Sequence, residues 1–155
     1  MQDNFNWGWY TMKSTYDLDC NLAKTLNILG DRWTILVLHR IYKNINTFKE
    51  LEESLESIPT NILSDRLKLL TENGLITKKL YSEHPPRYEY IITEKGRDFN
   101  HVFNSMTIWA NKYLEDCNRT IGHKKCNSEV SIKYYCKECD EYFDEKDLVI
   151  IDKHI

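Results

Sequence analysis

Three cysteines and a histidine near the end of the chain have spacings typical of metal ligands. The sequence contains Cys136-Lys-Glu-Cys139 and, upstream of it, His123-Lys-Lys-Cys126, which together give the pattern H-x2-C-x9-C-x2-C. Two such pairs, each on a tight turn, can bring four ligands to one tetrahedral ion with no position left for water. We therefore expect a structural zinc site made by His123, Cys126, Cys136 and Cys139.

Two alternatives to this ligand set remain open. Cys117 can replace His123 as the fourth ligand, or the thiols bind no metal and are simply buried. A redox-active C-x2-C pair is less expected, because no βαβ pattern surrounds it. The β-like runs VSIKYY and YFDEKDLVI flank Cys136 and Cys139, which favours a zinc-ribbon-like extension. Such a short segment cannot build much core of its own, and a metal ion would stabilise it.

A further cysteine, Cys20, stands alone at the predicted start of the first helix. Backbone amide dipoles at a helix N-terminus stabilise a thiolate and make the sulfur more reactive, whereas the nearby Asp17 and Asp19 oppose this effect. Position alone leaves two interpretations open: a reactive thiol, or an inert cysteine packed at a subunit surface.

The elements that must position these groups can be predicted from periodicity. Apolar residues recur at spacings of three and four, which indicates helices. Gly30 separates the first two helices, Thr47 and Glu50 have the spacing of a capping box, and Asn73-Gly74 ends the fourth helix. The predicted helices span about 20–29, 31–42, 47–55, 59–72 and 94–115, and β-like runs occupy 75–81 and 87–93.

This order of elements predicts an α+β fold that is mainly helical, a winged helix-turn-helix followed by a long helix. Such domains bind DNA. The net charge of −3 does not support nucleic-acid binding, but it does not exclude it either, because a local patch is what meets phosphate. The interpretation therefore depends on where polar side chains are placed.

The 59–72 helix presents a polar face when its leucines point inward. Ser, Asn, Asp and Lys side chains can hydrogen-bond base edges and phosphates. Arg66 lies on the flank of the apolar face, directed toward a phosphate or an acidic partner. After this helix, the tip SEHPP, followed by Arg87, forms a stiff wing suited to the minor groove or the backbone. The predicted DNA-binding residues are Thr60, Asn61, Ser64, Asp65, Arg66, Lys68, Lys78 and Arg87.

Six short motifs occur in order between residues 18 and 115, and in combination they are specific. They are GDRWT, FKEL, IPTNILSDRLKLL, NGLI, PPRYEY and TEKG, with Trp109 in the last helix. In these motifs the chain resembles the HxlR family of bacterial winged-helix transcription regulators. It departs from the family in length, since the family core ends near residue 115 and about 40 residues follow here.

The resemblance implies a homodimer on a pseudo-palindromic operator of double-stranded DNA. It places the third helix of the motif in the major groove, the wing alongside, and the terminal helices at the dimer interface. Several members of the family sense electrophiles, quinones or oxidants through a cysteine matching Cys20. The implied organisation is an N-terminal arm over 1–19, the winged domain over 20–93, a dimerisation helix over 94–116 and the zinc-ribbon-like extension over 117–155.

Other function classes are less well supported. The sequence has no nucleophile–base constellation, no phosphate-binding glycine loop and no paired carboxylates, so an enzyme is not expected. A protein-binding adaptor that uses the winged domain and the ribbon as interaction modules is the alternative. No apolar run is long enough to span a membrane and no secretory signal is visible, so we expect a cytoplasmic protein without a membrane partner.

Overall fold

The computed structural model describes residues 15–117 and 119–151. The chain divides into two compact units, one ending at Asp98 and the other beginning at Phe99. Most of the predicted arm, residues 1–14, lies outside the described residues. Within the described ranges, no helix is long and apolar enough to cross a membrane.

The first unit has the predicted order of a winged helix-turn-helix. Helices α3 (Phe48–Ser54) and α4 (Thr60–Glu72) form the helix-turn-helix, and an antiparallel hairpin follows them as the wing. The predicted α+β, mainly helical class is confirmed. The elements are α1 (Asn21–Leu29), α2 (Thr34–Tyr42), α3 (Phe48–Ser54), α4 (Thr60–Glu72), β1 (Ile76–Glu83), β2 (Pro86–Ile92) and α5 (Glu94–Asp98).

The core of this unit is built from the apolar faces of α2, α3, α4 and β1. Leu63, Leu67 and Leu70, which periodicity turned inward on α4, are all at most 2% exposed. Burying each side chain contributes about 1.5–3 kcal/mol, so α4 is held by its inward face and its outward face is free for another role. Leu38, Ile41, Leu51 and Ile76 complete the buried centre.

Local capping fixes the start of the helix-turn-helix. The Thr47 hydroxyl accepts a hydrogen bond from the Glu50 amide, and the Glu50 carboxylate accepts one from the Thr47 amide at 3.0 Å, as the sequence predicted. Pro59 is the N-cap of α4 and not its first residue. Gly74 adopts a φ of 68° just after α4, a conformation that glycine reaches without strain.

The wing is anchored at its base to the segment before α3. Strands β1 and β2 pair from Ile76 opposite Ile92 out to Glu83 opposite Pro86, with an irregularity between Leu80 and Ser82. The Tyr90 amide donates a hydrogen bond to the Asn46 carbonyl at 2.8 Å. This bond fixes the wing beside the N-terminus of α3.

The predicted helix over 94–115 is two helices, α5 and α6 (Asn100–Tyr113), which are interrupted at Phe99. Helix α5 belongs with the winged unit, where it packs against α2. Gly96 is buried there, and a Cβ on it would lie 2.2 Å from the Leu75 carbonyl oxygen. The Thr93 hydroxyl accepts a hydrogen bond from the Gly96 amide at 3.1 Å and caps α5.

The second unit contains α6 and a small β-hairpin, β3 (Tyr134–Cys136) paired with β4 (Glu141–Phe143), followed by a 3-10 turn at Glu145–Asp147. Stacked rings of Tyr134 and Phe143, with centroids 5.9 Å apart, support the hairpin. Among the described residues from 119 to 151, no side chain is buried. A hairpin therefore forms between the two predicted runs, but it is shorter than they are, part of the second run is the 3-10 turn, and no core lies beneath it.

Candidate nucleic-acid interface

The outward face of α4 is polar and open to solvent. Asn61, Ser64, Asp65 and Lys68 are exposed, as predicted. The Thr60 hydroxyl donates a hydrogen bond to the Glu52 carboxylate at 2.6 Å, which ties the start of α4 to α3. Thr60 therefore helps to orient the helix.

A hollow between α4 and the wing brings together residues that lie apart in the sequence. Ser64 and Lys68 of α4 line it with Lys78 of β1 and Tyr90 of β2. The Lys78 ammonium also lies 5.0 Å from the centroid of the Tyr88 ring. Ammonium groups from two elements thus border one concave surface and can contact a phosphate backbone. The Glu72 carboxylate lies in the same hollow, 3.8 Å from the Lys68 ammonium.

A second hollow continues this surface toward the tip of the wing. It is lined by Arg87 and Tyr81 of the wing and by Lys49 at the start of α3. Phe48 and Tyr90 line both hollows, so the two form one concave face. Lys49 and Tyr81 were not predicted as site residues. No local signal marks them, because only the anchoring of the wing beside α3 brings them to this face.

Arg66 forms an ion pair within the chain. Its Nε lies 3.0 Å from Asp31 Oδ1, and its Nη2 donates a hydrogen bond to Asp31 Oδ2 at 3.1 Å. The side chain is 24% exposed. The guanidinium is thus turned toward the protein. The sequence left a phosphate or an acidic side chain open as its partner, and in this structure the partner is the acidic side chain of Asp31.

Asp31 connects α2 with α4. Its carboxylate accepts a hydrogen bond from the Trp33 amide at 2.8 Å, and the Thr34 amide approaches the same oxygen at 3.3 Å. Because this carboxylate caps the first turn of α2 and pairs with Arg66, it fixes the relative position of the two helices. Arg66 thus helps to position α4, and its contact with DNA stays a prediction.

Cys20 occupies the predicted position at the start of α1. It is the N-cap residue with an extended backbone, and its side chain is exposed. The Cys20 carbonyl accepts a hydrogen bond from the Lys24 amide at 3.0 Å, and the Lys24 ammonium pairs with Asp19 at 2.5 Å. A reagent in solvent can therefore reach the sulfur.

The expected zinc ligands form two separate pairs. His123 Nδ1 lies 3.4 Å from Cys126 Sγ, and Cys139 lies in the turn that follows Cys136 at the end of β3. A hydrogen bond with Ser128 lowers the pKa of Cys126, and hydrogen bonds with Cys139 lower the pKa of Cys136. Across residues 15–117 and 119–151, no three His, Cys, Asp or Glu side chains are grouped closely enough to hold a metal ion. The predicted four-ligand cluster is therefore not assembled in this structure.

Comparison with known proteins decides the family. A model for HxlR-like helix-turn-helix proteins matches residues 28–118, which is more than half of the chain. The chain belongs to the HxlR-like family. The resemblance seen in its motifs is thereby confirmed.

Individual HxlR-like relatives and solved structures agree with this assignment. An uncharacterized HTH-type transcriptional regulator of Mycobacterium bovis is 32% identical over 124 residues, covering 78% of each chain. The reduced form of the regulator YodB of Bacillus subtilis has a TM-score of 0.53 and 31% identity, covering 63% of this chain and 97% of YodB. The crystal structure of PA1607, described as a candidate transcription factor, matches this chain with a TM-score of 0.70 and 21% identity. The match covers 87% of this chain and 96% of PA1607, and it shows that the two share a fold.

Membership of the HxlR-like family also decides the class of function. The chain is a DNA-binding regulator of transcription and not an enzyme, as the sequence led us to expect. The protein-binding adaptor is not favoured.

Proposed function

We propose that this HxlR-like regulator binds a pseudo-palindromic operator as a homodimer, with α4 of each subunit in a major groove and the wing against the adjacent backbone. The observation that carries the proposal is the single concave face that joins the polar side of α4 to the wing. It presents base-reading and phosphate-binding side chains from separate elements toward one ligand surface.

The residues on the outward face of α4 and on the concave face beside it divide by the chemistry that they can supply. Asn61 and Ser64 are short and uncharged, and they project from the first turns of α4, where they can hydrogen-bond base edges. Lys68, Lys78 and Arg87 carry the positive charge that phosphates attract. Asp65 is on the same helix face and can accept a hydrogen bond from the amino group of cytosine.

Two observations support a homodimer. One recognition helix covers only a half-site, so a longer operator needs a second copy. On α6, Val102, Met106, Trp109 and Tyr113 are between 41% and 59% exposed. Solvent-exposed apolar side chains that form a stripe along one helix are characteristic of an interface. We place the dimer contact along this stripe.

We further infer that Cys20 is a switch that responds to electrophiles or oxidants. Its exposed sulfur stands at the N-terminus of α1, where a reagent in solvent can reach it. YodB, a relative, has been solved both in its reduced form and bound to quinone, and the quinone-bound form has a TM-score of 0.50 with this chain at 28% identity. Modification of Cys20 would displace α1 and alter the spacing of the two recognition helices.

The DNA proposal is tested by selecting bound fragments from genomic DNA and measuring their affinity as a function of salt. Lys68→Gln and Arg87→Gln are each expected to weaken binding and to lower the salt slope by about two per dimer, because each change removes a phosphate contact from both subunits. Lys146→Gln removes the same charge from the C-terminal unit and serves as the control, with an unchanged slope. Binding without any salt dependence would contradict the proposal and favour the adaptor.

The switch is tested separately on the selected fragment. Treatment with diamide or a quinone is expected to lower the affinity of the wild-type protein, and Cys20→Ser is expected to bind normally and to resist the treatment. Unchanged affinity in wild-type protein whose Cys20 is shown by mass spectrometry to be modified would contradict the switch.

A further inference from the structure

We propose that His123, Cys126, Cys136 and Cys139 bind one structural zinc ion that holds the C-terminal unit together. This site is independent of the DNA-binding face, and nothing in the proposed regulatory function requires it. The proposal rests on the geometry of two turns, the absence of a core around them and the charge next to them.

The two turns have the same construction. In the first, the His123 carbonyl accepts hydrogen bonds from the amides of Cys126 at 3.1 Å and of Asn127 at 2.8 Å. Asn127 has a φ of 55°, and Asp140, which follows Cys139 in the second turn, has a φ of 54°. Each turn thus carries a ligand, a second ligand three residues later, and then a residue in the left-handed region that turns the chain back.

The first pair already has the separation of two ligands on one ion. Bond lengths of about 2.0–2.1 Å to nitrogen and 2.3 Å to sulfur, at a tetrahedral angle, place the two ligand atoms about 3.6 Å apart. His123 Nδ1 and Cys126 Sγ are 3.4 Å apart.

The surrounding segment has little else to stabilise it. No described side chain between 119 and 151 is buried, and each strand of the hairpin is three residues long. A two-stranded hairpin of this kind is marginally stable in water by itself. Because binding of zinc to a site that forms only with the metal contributes directly to folding, an ion is an effective substitute for the missing core.

The two pairs must approach each other to complete the site. The nine residues from 127 to 135 connect them, which is enough chain to join two turns around one ion. Zinc with three thiolates and a neutral imidazole carries one net negative charge. Lys124 and Lys125 lie within the first turn, so positive charge accompanies the first pair of ligands, whereas Lys137 in the second turn is followed by Glu138.

The test measures zinc in the full-length protein by mass spectrometry after purification without chelators and after reconstitution with zinc. The wild-type chain is expected to hold about one zinc ion, and Cys136→Ser or Cys126→Ser to hold at least tenfold less. Cys117→Ser and Cys20→Ser are the matched controls, since neither thiol belongs to the two turns, and both should keep the ion.

Cobalt substitution of the wild-type protein counts the thiolates and does not depend on whether a variant folds. The intensity of the thiolate-to-cobalt charge-transfer band is expected to correspond to three thiolates. The His123→Cys variant supplies a fourth thiolate, so it should keep the ion and show a more intense band. A wild-type chain that stays free of zinc after reconstitution would overturn the proposal. Loss of the ion from Cys117→Ser with retention in His123→Asn would overturn the ligand set.

Discussion

The ion pair between Arg66 and Asp31 makes a prediction that separates positioning of the recognition helix from contact with DNA. Replacing Arg66 by Gln removes the charge but keeps a polar side chain of similar length. The structure places the guanidinium on Asp31, at 3.0 Å through Nε and 3.1 Å through Nη2, and therefore away from a phosphate. We expect the variant to lose stability while its DNA complex keeps the same number of phosphate contacts.

The magnitude follows from the exposure of the two side chains. Hydrogen bonds to charged groups contribute about 1.5–3 kcal/mol when buried, and exposed ion pairs contribute about 0–1 kcal/mol. The Arg66 side chain is 24% exposed and that of Asp31 is 36% exposed, so the pair lies between these cases. Arg66→Gln is expected to lower the free energy of unfolding by about 1–2 kcal/mol. Asp31→Asn should cost a similar amount, because asparagine can still cap α2 but cannot pair with Arg66.

Urea unfolding at one fixed protein concentration measures these losses, since the stability of a dimer depends on concentration. The double variant should show a coupling energy of about 1 kcal/mol between the two positions. In the DNA assay, Arg66→Gln should leave the salt slope unchanged, whereas Lys68→Gln lowers it by about two per dimer. A coupling energy near zero together with a lower salt slope for Arg66→Gln would refute the reasoning and indicate that Arg66 contacts a phosphate of the DNA.

Three further predictions concern other parts of the chain. Gly96→Ala should lower the free energy of unfolding by about 3 kcal/mol or more in urea titrations, because the new Cβ would lie 2.2 Å from the Leu75 carbonyl oxygen. Gly122→Ala is the control and should be tolerated, because the nearest atom to its new Cβ would lie 3.6 Å away. Trp109→Ala should shift sedimentation toward the monomer at low concentration, and an unchanged profile would place the ring outside the dimer interface. Burial, together with the positive charges of Lys43 and Arg40, lowers the pKa of His39, so the unfolded chain binds the proton more readily than the folded one. The free energy of unfolding should therefore fall as the pH drops from 7 toward 5, and His39→Gln should make thermal melts less dependent on pH over this range. An equal pH dependence in both proteins would contradict the lowered pKa of His39.

The sequence predicted the winged unit well because its signals are local. The leucines of α4 recur with one period, Thr47 and Glu50 form a capping box within one turn, and Gly74 ends the helix where its positive φ is needed. Each of these features depends on residues only a few positions apart. The predicted boundaries therefore lie within a few residues of the observed ones.

The sequence missed features that depend on contacts between distant segments. The break at Phe99 was missed because α5 reads EKGRD and has no apolar side chain, so periodicity carries no information before Phe99. Gly96 is required by the Leu75 backbone and not by its own helix. The partner of Arg66 is 35 positions away in the sequence. Lys49 joins the concave face only because the wing is anchored beside α3.

The central claim is that the polar face of α4 and the wing is presented twice, by two subunits, to one DNA duplex. A hydroxyl-radical footprint of the full-length protein on a selected fragment, with the stoichiometry measured on the same sample, tests it most directly. We predict two chains per duplex and two symmetric protected regions whose centres are about 10 base pairs, or a multiple of this, apart. A single protected region bound by one chain, or no protection at any salt concentration, would contradict the account.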